Sequence, residues 1–319
     1  MIGRGRRLAC LALALAFVCV QSLAAQDVAL RYQWKKGDAL RYRWTAQTNV
    51  TMSGIPGLGD MTVTTSLGQV VKMAVEDVAA DGTATLRATF ESAKMEMALP
   101  MGTIKYDSAA PSAPTGDPMT DAIGKVMKAL IGASVTLTVT PIGKVPALQG
   151  MEELTAKLKQ AIGEEAAMAG LDAIFSNEAM ISSFGQNFAA LPDKPIKAGD
   201  SWQSELKIAN PMAPMVSSMT YTLKAIENTG GAQIARISTT STIKPAGAGK
   251  PNAAMPTMKI DVGNGSGNGE VIFDARLGRL RKAVFNTTTP MTMSMDAPDG
   301  TAMSMQSTTK SVLTIELID

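Results

Sequence analysis

Histidine is absent from all 319 residues, and only two cysteines occur, Cys10 and Cys19. Without imidazole the Ser-His-Asp and Cys-His nucleophile arrangements are excluded, and so are His-based zinc sites. Aromatics are scarce too, with 3 Trp, 4 Tyr and 7 Phe, which argues against a sugar-stacking cleft. What chemistry remains is that of carboxylate, lysine, serine or tyrosine.

Long apolar runs are also few. The run from Leu8 to Val20 is shorter than the roughly 20 residues of a membrane span. Arg4, Arg6 and Arg7 precede it and Ser22, Ala24 and Ala25 follow it, so residues 1–25 read as a secretory signal peptide. On that reading the protein is exported, periplasmic or extracellular, and has no transmembrane segment once the signal is removed. Both cysteines leave with the signal, so thiolate metal centres and disulfides go as well. The charge changes with it: 30 Lys plus Arg against 28 Asp plus Glu becomes 27 against 28. A near-neutral surface gives no electrostatic reason to expect nucleic acid as a partner.

What is present is alternation. Leu30, Tyr32 and Trp34 alternate with polar residues, and so do Leu40, Tyr42 and Trp44 beyond the turn Lys35-Lys36-Gly37-Asp38; the spacing predicts a hairpin with one aromatic face. Strands are expected over 61–78 and 84–97, then a short helix near 117–131 capped by Asp117 or Thr120, then a strand over 134–140. From Met151 the period becomes helical, with Leu154, Leu158 and Ile162 on one stripe, continued by Leu171, Ile174 and Phe175. Ser176 or Asn177 caps a further helix ending near Gln186. A second turn, Lys197-Ala198-Gly199-Asp200, opens a run of strands over 201–208, 218–228, 232–243, 269–277, 278–295 and 302–317, with a loop expected from Pro245 to Asn268.

The later strands echo the earlier ones. Val71 to Arg87 is matched by Tyr221 to Arg236, and Val139 to Val145 by Phe273 to Leu280, each a strand, a glycine turn and a returning strand. Ordinary hairpins share such turn chemistry; the repeated order favours duplication. The expected architecture is an α+β fold dominated by antiparallel β-sheet, in two similar β halves with a helical segment between them. Its parts are residues 26–149 as the N-terminal β half, 150–190 as a helical connector and 191–319 as the C-terminal β half.

The 22 methionines are the compositional anomaly. Met95 and Met97, then Met291, Met293 and Met295, then Met303 and Met305 sit at alternate positions, which in a strand places each set on one face. Three readings stay open: core packing, an adaptable apolar groove for lipid, lipoprotein or peptide, and capture of Cu(I) by thioethers. Glu205, Glu270 and Asp274 are the acids that a carboxylate hydrolase of the cell envelope could use. Ser204 with Lys207, and Ser241 with Lys244, match Ser-x-x-Lys but lie in strand patterns, where that spacing does not share a face. Gly263, Gly265, Gly267 and Gly269 lack the strand-to-helix setting of a phosphate loop and read as a turn. No catalytic set, cofactor motif or metal-ligand set is assigned, and the preferred reading is a non-catalytic binding or structural protein whose partner is an apolar ligand or an envelope protein.

The Gly-Asp-Ser-Trp turn at Gly199 to Trp202, together with Leu277-Gly278-Arg279-Leu280, resembles an uncharacterised family of exported bacterial proteins whose domain has no assigned function. The resemblance implies export and a β-rich fold, and it brings no active-site residues.

Overall fold

The computed structural model describes residues 27–54, 59–100, 102–110, 116–163, 176–208, 213–247, 258–296 and 302–319. The expected signal peptide and the stripe residues Leu171, Ile174 and Phe175 lie outside the described residues.

Thirteen strands and three helices follow one another along the described chain. The strands are β1 (Ala39–Ser53), β2 (Met61–Val78), β3 (Ala84–Leu99), β4 (Gly102–Asp107), β5 (Ser134–Val139), β6 (Ala147–Gln149), β7 (Ser201–Ile208), β8 (Met215–Thr229), β9 (Ala232–Pro245), β10 (Met258–Val262), β11 (Gly265–Asp274), β12 (Arg279–Asp296) and β13 (Ala302–Leu317). The helices are α1 (Pro118–Leu130), α2 (Met151–Ile162) and α3 (Asn177–Gln186). All the strands join one antiparallel sheet in the order β6-β5-β3-β2-β1-β13-β12-β11-β9-β8-β7, with β4 on β3 and β10 on β12.

Alternation explains why the chain makes these strands. Leu40, Tyr42 and Trp44 in β1 are buried and the residues between them are exposed, the signature of a strand with one face on a core. In register, Val71 lies opposite Tyr42, Ile315 opposite Trp44 and Leu137 opposite Leu86, so the same inner face continues from strand to strand. Where a strand must keep that face through a kink it carries a bulge: the register of β2 and β3 shifts beside Glu91, which puts both Phe90 and Ala93 inside.

The sheet is curled. Laid flat, the eleven strands of its path would set the two edges roughly 48 Å apart. Yet α3, about 15 Å long, packs against both edge strands, β6 and β7. The helices therefore fill the opening on the inner side. Ser176 caps α3 by accepting from the Ala179 N–H at 3.2 Å, and Asp117 accepts from the Thr120 N–H at 3.0 Å at the start of α1. Phe184 of α3 is fully buried, edge-on to Trp44 at 5.6 Å and tilted against Phe90. Leu154 and Leu158, the expected stripe of α2, are buried as well.

The two Gly-Asp turns make the same clamp. Gly37 N–H donates to the Val75 carbonyl and Val75 N–H to the Asp38 carbonyl; Gly199 N–H donates to the Leu223 carbonyl and Leu223 N–H to the Asp200 carbonyl. Both glycines have a positive φ, 91° and 97°, which a side chain would oppose. The order of neighbours β6-β5-β3-β2-β1 is repeated as β12-β11-β9-β8-β7, with β13 between the two sets.

Two local expectations are corrected. Ala29 to Trp34 does not pair with β1 as a hairpin arm. Val28 before it bonds with Ile196, the Tyr32 and Gln33 N–H groups donate to the carbonyls of Pro141 and Gly278, and Tyr32 stacks on Trp34 and meets Phe188 and Phe273 edge-on inside the curl. The clamp at Gly37 turns the chain onto β2, so the aromatic alternation marks a buried crossing strap. The loop expected from Pro245 to Asn268 contains β10 and the start of β11. There Gly265, Gly267 and Gly269 are strand residues on the inner face: a Cβ on Gly267 would stand 2.5 Å from Ser241 Oγ and 2.6 Å from the Asn286 carbonyl. Glycine here permits close approach of neighbouring strands where a turn was expected.

Candidate functional site

The strands outrun the helices. Helices α1, α2 and α3 pack against β4, β5, β6 and β7, over the apolar part of the inner face. Beyond that core, β1, β2, β12 and β13 continue as a wing whose residues are mostly half-buried. Its inner surface follows from register. Thr48, Thr65, Ser311 and Thr287 form one rung, and Val50, Val63, Thr309 and Thr289 the next. Met52, Met61, Ser307 and Met291 form the third, extended by Val262 of β10. Then Met293 lies opposite Met305 on one side and Ile260 on the other, and Met295 is paired with Met303 and Met258. Moving outward from the core, the face changes from aliphatic to hydroxyl to thioether.

None of these rungs carries a charge. Arg41, Arg43, Lys94, Lys105, Lys259, Asp261, Lys282, Lys310 and Glu316 all fall on the outer face by register. There they form cross-strand pairs such as Lys105–Glu96 and Arg43–Glu316. Such exposed pairs add little stability each, but they leave the inner face without a formal charge.

The methionines named from sequence are divided by the fold. Met291, Met293 and Met305 are half-buried neighbours on β12 and β13, and the backbone register sets Met295 and Met303 on the rung beside them. Met95 and Met97 share the same face but sit on β3, three strand spacings from β13 and four from β12, roughly 14 and 19 Å along the sheet. Met95 is buried and Met97 packs on the core beside Ile104 and Tyr106, so this pair is part of the packed interior. Sequence reasoning missed Met52 and Met61 and the hydroxyl rungs; the alternation Val50-x-Met52 and Met61-x-Val63 was the available signal.

The acids do not converge. Glu205 is on the outer side of edge strand β7, within 3.4 Å of Ser218 Oγ, and Glu270 is an exposed partner of Arg236. Asp274 has a fully covered side chain, bonded by Arg281 at 2.8 Å and by the N–H groups of Arg276 and Leu277 in the β11–β12 turn. Burial pushes its carboxyl up, and these donors outweigh burial, holding it below the ordinary value. Ser204 with Lys207, and Ser241 with Lys244, lie on opposite faces of their strands. Among the described residues no group of three or more acidic or sulfhydryl ligands could hold a metal ion. Inside the core, burial raises Tyr42, whose hydroxyl donates to the Leu280 carbonyl at 3.1 Å, and pushes Tyr221 up to about 12.

A family model described as a family of unknown function (DUF6263) matches residues 81–279, from the β2–β3 turn to the first residue of β12. The chain belongs to DUF6263. The match takes in Met95, Met97 and the helical segment, and it ends before Met291. No curated protein matches the sequence. Among solved structures, one titled for lipid–protein interactions in lipovitellin has 9% identity and a TM-score of 0.45, covering 90% of this chain. The chain spans about a quarter, 26%, of the length of that lipovitellin chain. DynF from the dynemicin biosynthesis pathway of Micromonospora chersina has 8% identity over 91% of this chain and 85% of its own, with a TM-score of 0.18. A DUF1329 family protein from Desulfovibrio piger has 11% identity over 86% and 85%, with a TM-score of 0.12. At these scores the likenesses decide neither fold nor ligand.

Proposed function

We propose that this member of DUF6263 is an exported, non-catalytic binding protein that holds an apolar ligand, a lipid or the lipid-bearing or apolar part of a peptide, on the inner wing. The observation that carries this reading is the uncharged wing itself. Met52, Met61, Met291, Met293 and Met305, with the valines and hydroxyls of the rungs of Thr48 and Val50, remain half-buried, while comparable side chains under the helices are closed off. Flexible thioethers adapt to ligands of varied shape, and their partial exposure leaves area to be removed from water at roughly 25 cal/mol per Å². Glu205, Glu270 and Asp274 are separated and individually partnered, which gives the carboxylate-hydrolase alternative no support from these three acids.

Two further parts of the reading stand on the sequence and the topology together. The sequence over residues 1–25 supports export to the periplasm or beyond. The repeated neighbour order and the paired Gly-Asp clamps support descent from a duplicated β unit, with residues 150–190 as the connector between the copies. Protein purified from its own cell envelope and weighed by native mass spectrometry tests the function. A bound lipid or peptide mass is expected, absent after Met293→Lys with Met305→Lys. An unliganded mass for the wild type, or an adduct indifferent to those charges, overturns the reading. The same spectrum reads export, since processing removes the first residues.

A further inference from the structure

We infer that the thioethers of Met291, Met293 and Met305 form a binding site for a soft monovalent ion, Cu(I). Three observations on the wing combine. First, Met293 and Met305 are directly opposed across β12 and β13, and Met291 lies two residues along β12 on the same face. Opposed Cβ atoms stand about 5 Å apart and the i+2 neighbour about 7 Å away. Each methionine has three rotatable bonds before its methyl group, so three sulfurs reach a common point without backbone movement.

Second, these side chains are half-buried, so an ion has access to them and a partly dry setting once bound. Third, the donor set is selective by its chemistry. The surrounding inner rungs supply thioethers, hydroxyls and aliphatic groups, and every acid of β10, β12 and β13 falls on the other face. Hard cations such as Ca²⁺ and Mg²⁺ are held in proteins chiefly through carboxylates, which this face does not offer. Zn²⁺ is left without imidazole or thiolate. Cu(I) accepts neutral thioethers, and binding it as Cu(I) needs neither proton release nor electron transfer.

The site does not rest on the apolar-ligand reading, although it occupies the same surface. A chain that takes the ion and no lipid sustains this inference and defeats the other. The reverse result does the opposite.

The test uses the processed full chain under anaerobic, reducing conditions with Cu(I) and a chromophoric Cu(I) chelator as competitor. One Cu(I) per chain is expected to be withdrawn from the chelator, with Ag(I) competing for it and Zn²⁺ not. Met291→Leu with Met293→Leu and Met305→Leu keeps side-chain volume close to that of the wild type, so circular dichroism should be unchanged. That variant should bind at least about tenfold more weakly, whereas Met95→Leu should bind as the wild type does. X-ray absorption at the copper edge should show a sulfur-only shell. No copper withdrawn, equal affinity in the triple variant, or equal loss in Met95→Leu would overturn the site.

Discussion

Asp274 shows what single residues contribute here and how far a sequence can describe them. By sequence it is one acid among several in β segments, available for catalysis. In the fold it is a wholly covered carboxylate that ties the β11–β12 turn to Arg281. Its folded pKa lies below the ordinary 3.8, so the stabilisation it provides is present above that value and is lost as pH falls through the lower folded value. Asp274→Asn should therefore cost about 2 kcal/mol near neutrality, and the loss should vanish in acid. Urea unfolding of both proteins across acidic and neutral pH checks this; a constant difference between them would exclude the ionic role. Burial was the missing information, because turn donors and a cross-strand arginine become partners only after the hairpin closes.

At the level of elements, legibility followed amphipathicity. β7 was legible because Trp202, Ser204, Leu206 and Ile208 are half-buried while the residues between them are exposed, one face to an enclosed side and the other to water. The α2 stripe was legible for the same reason. Two segments misled because their composition served close packing. Glycines at Gly265, Gly267 and Gly269 resemble a loop, yet neighbouring strands crowd the space a side chain would fill. Gly267→Val should destabilise by about 2 kcal/mol or more despite the higher β propensity of valine. A stability equal to or above the wild type in thermal unfolding would refute the crowding. Tyr32 and Trp34 alternate like strand residues but belong to the strap beneath the sheet. The helix that closes the opening has its own test: Phe184→Ala should cost about 3 to 5 kcal/mol, because its ring lies against Trp44 and Phe90 in a fully buried position.

For the whole molecule, one curled sheet separates two surfaces of opposite character. Ion pairs lie outside, and the inside grades from a helix-packed apolar core to a wing of hydroxyls and thioethers. Which strands are neighbours was only partly readable, since β13 pairs with β1 across nearly the full chain and loop closure leaves no local mark in sequence. The candidate site was legible as alternate methionines on β12 and β13; its division from Met95 and Met97, and its freedom from charge, required the register. The most direct measurement is a titration of the processed protein with diphenylhexatriene, a fluorescent hydrocarbon without polar groups, beside a variant carrying Met293→Lys and Met305→Lys. The account predicts saturable binding by the wild type and at least about tenfold weaker binding by the variant, at equal secondary structure. Non-saturable fluorescence, or identical curves for the two proteins, would contradict it.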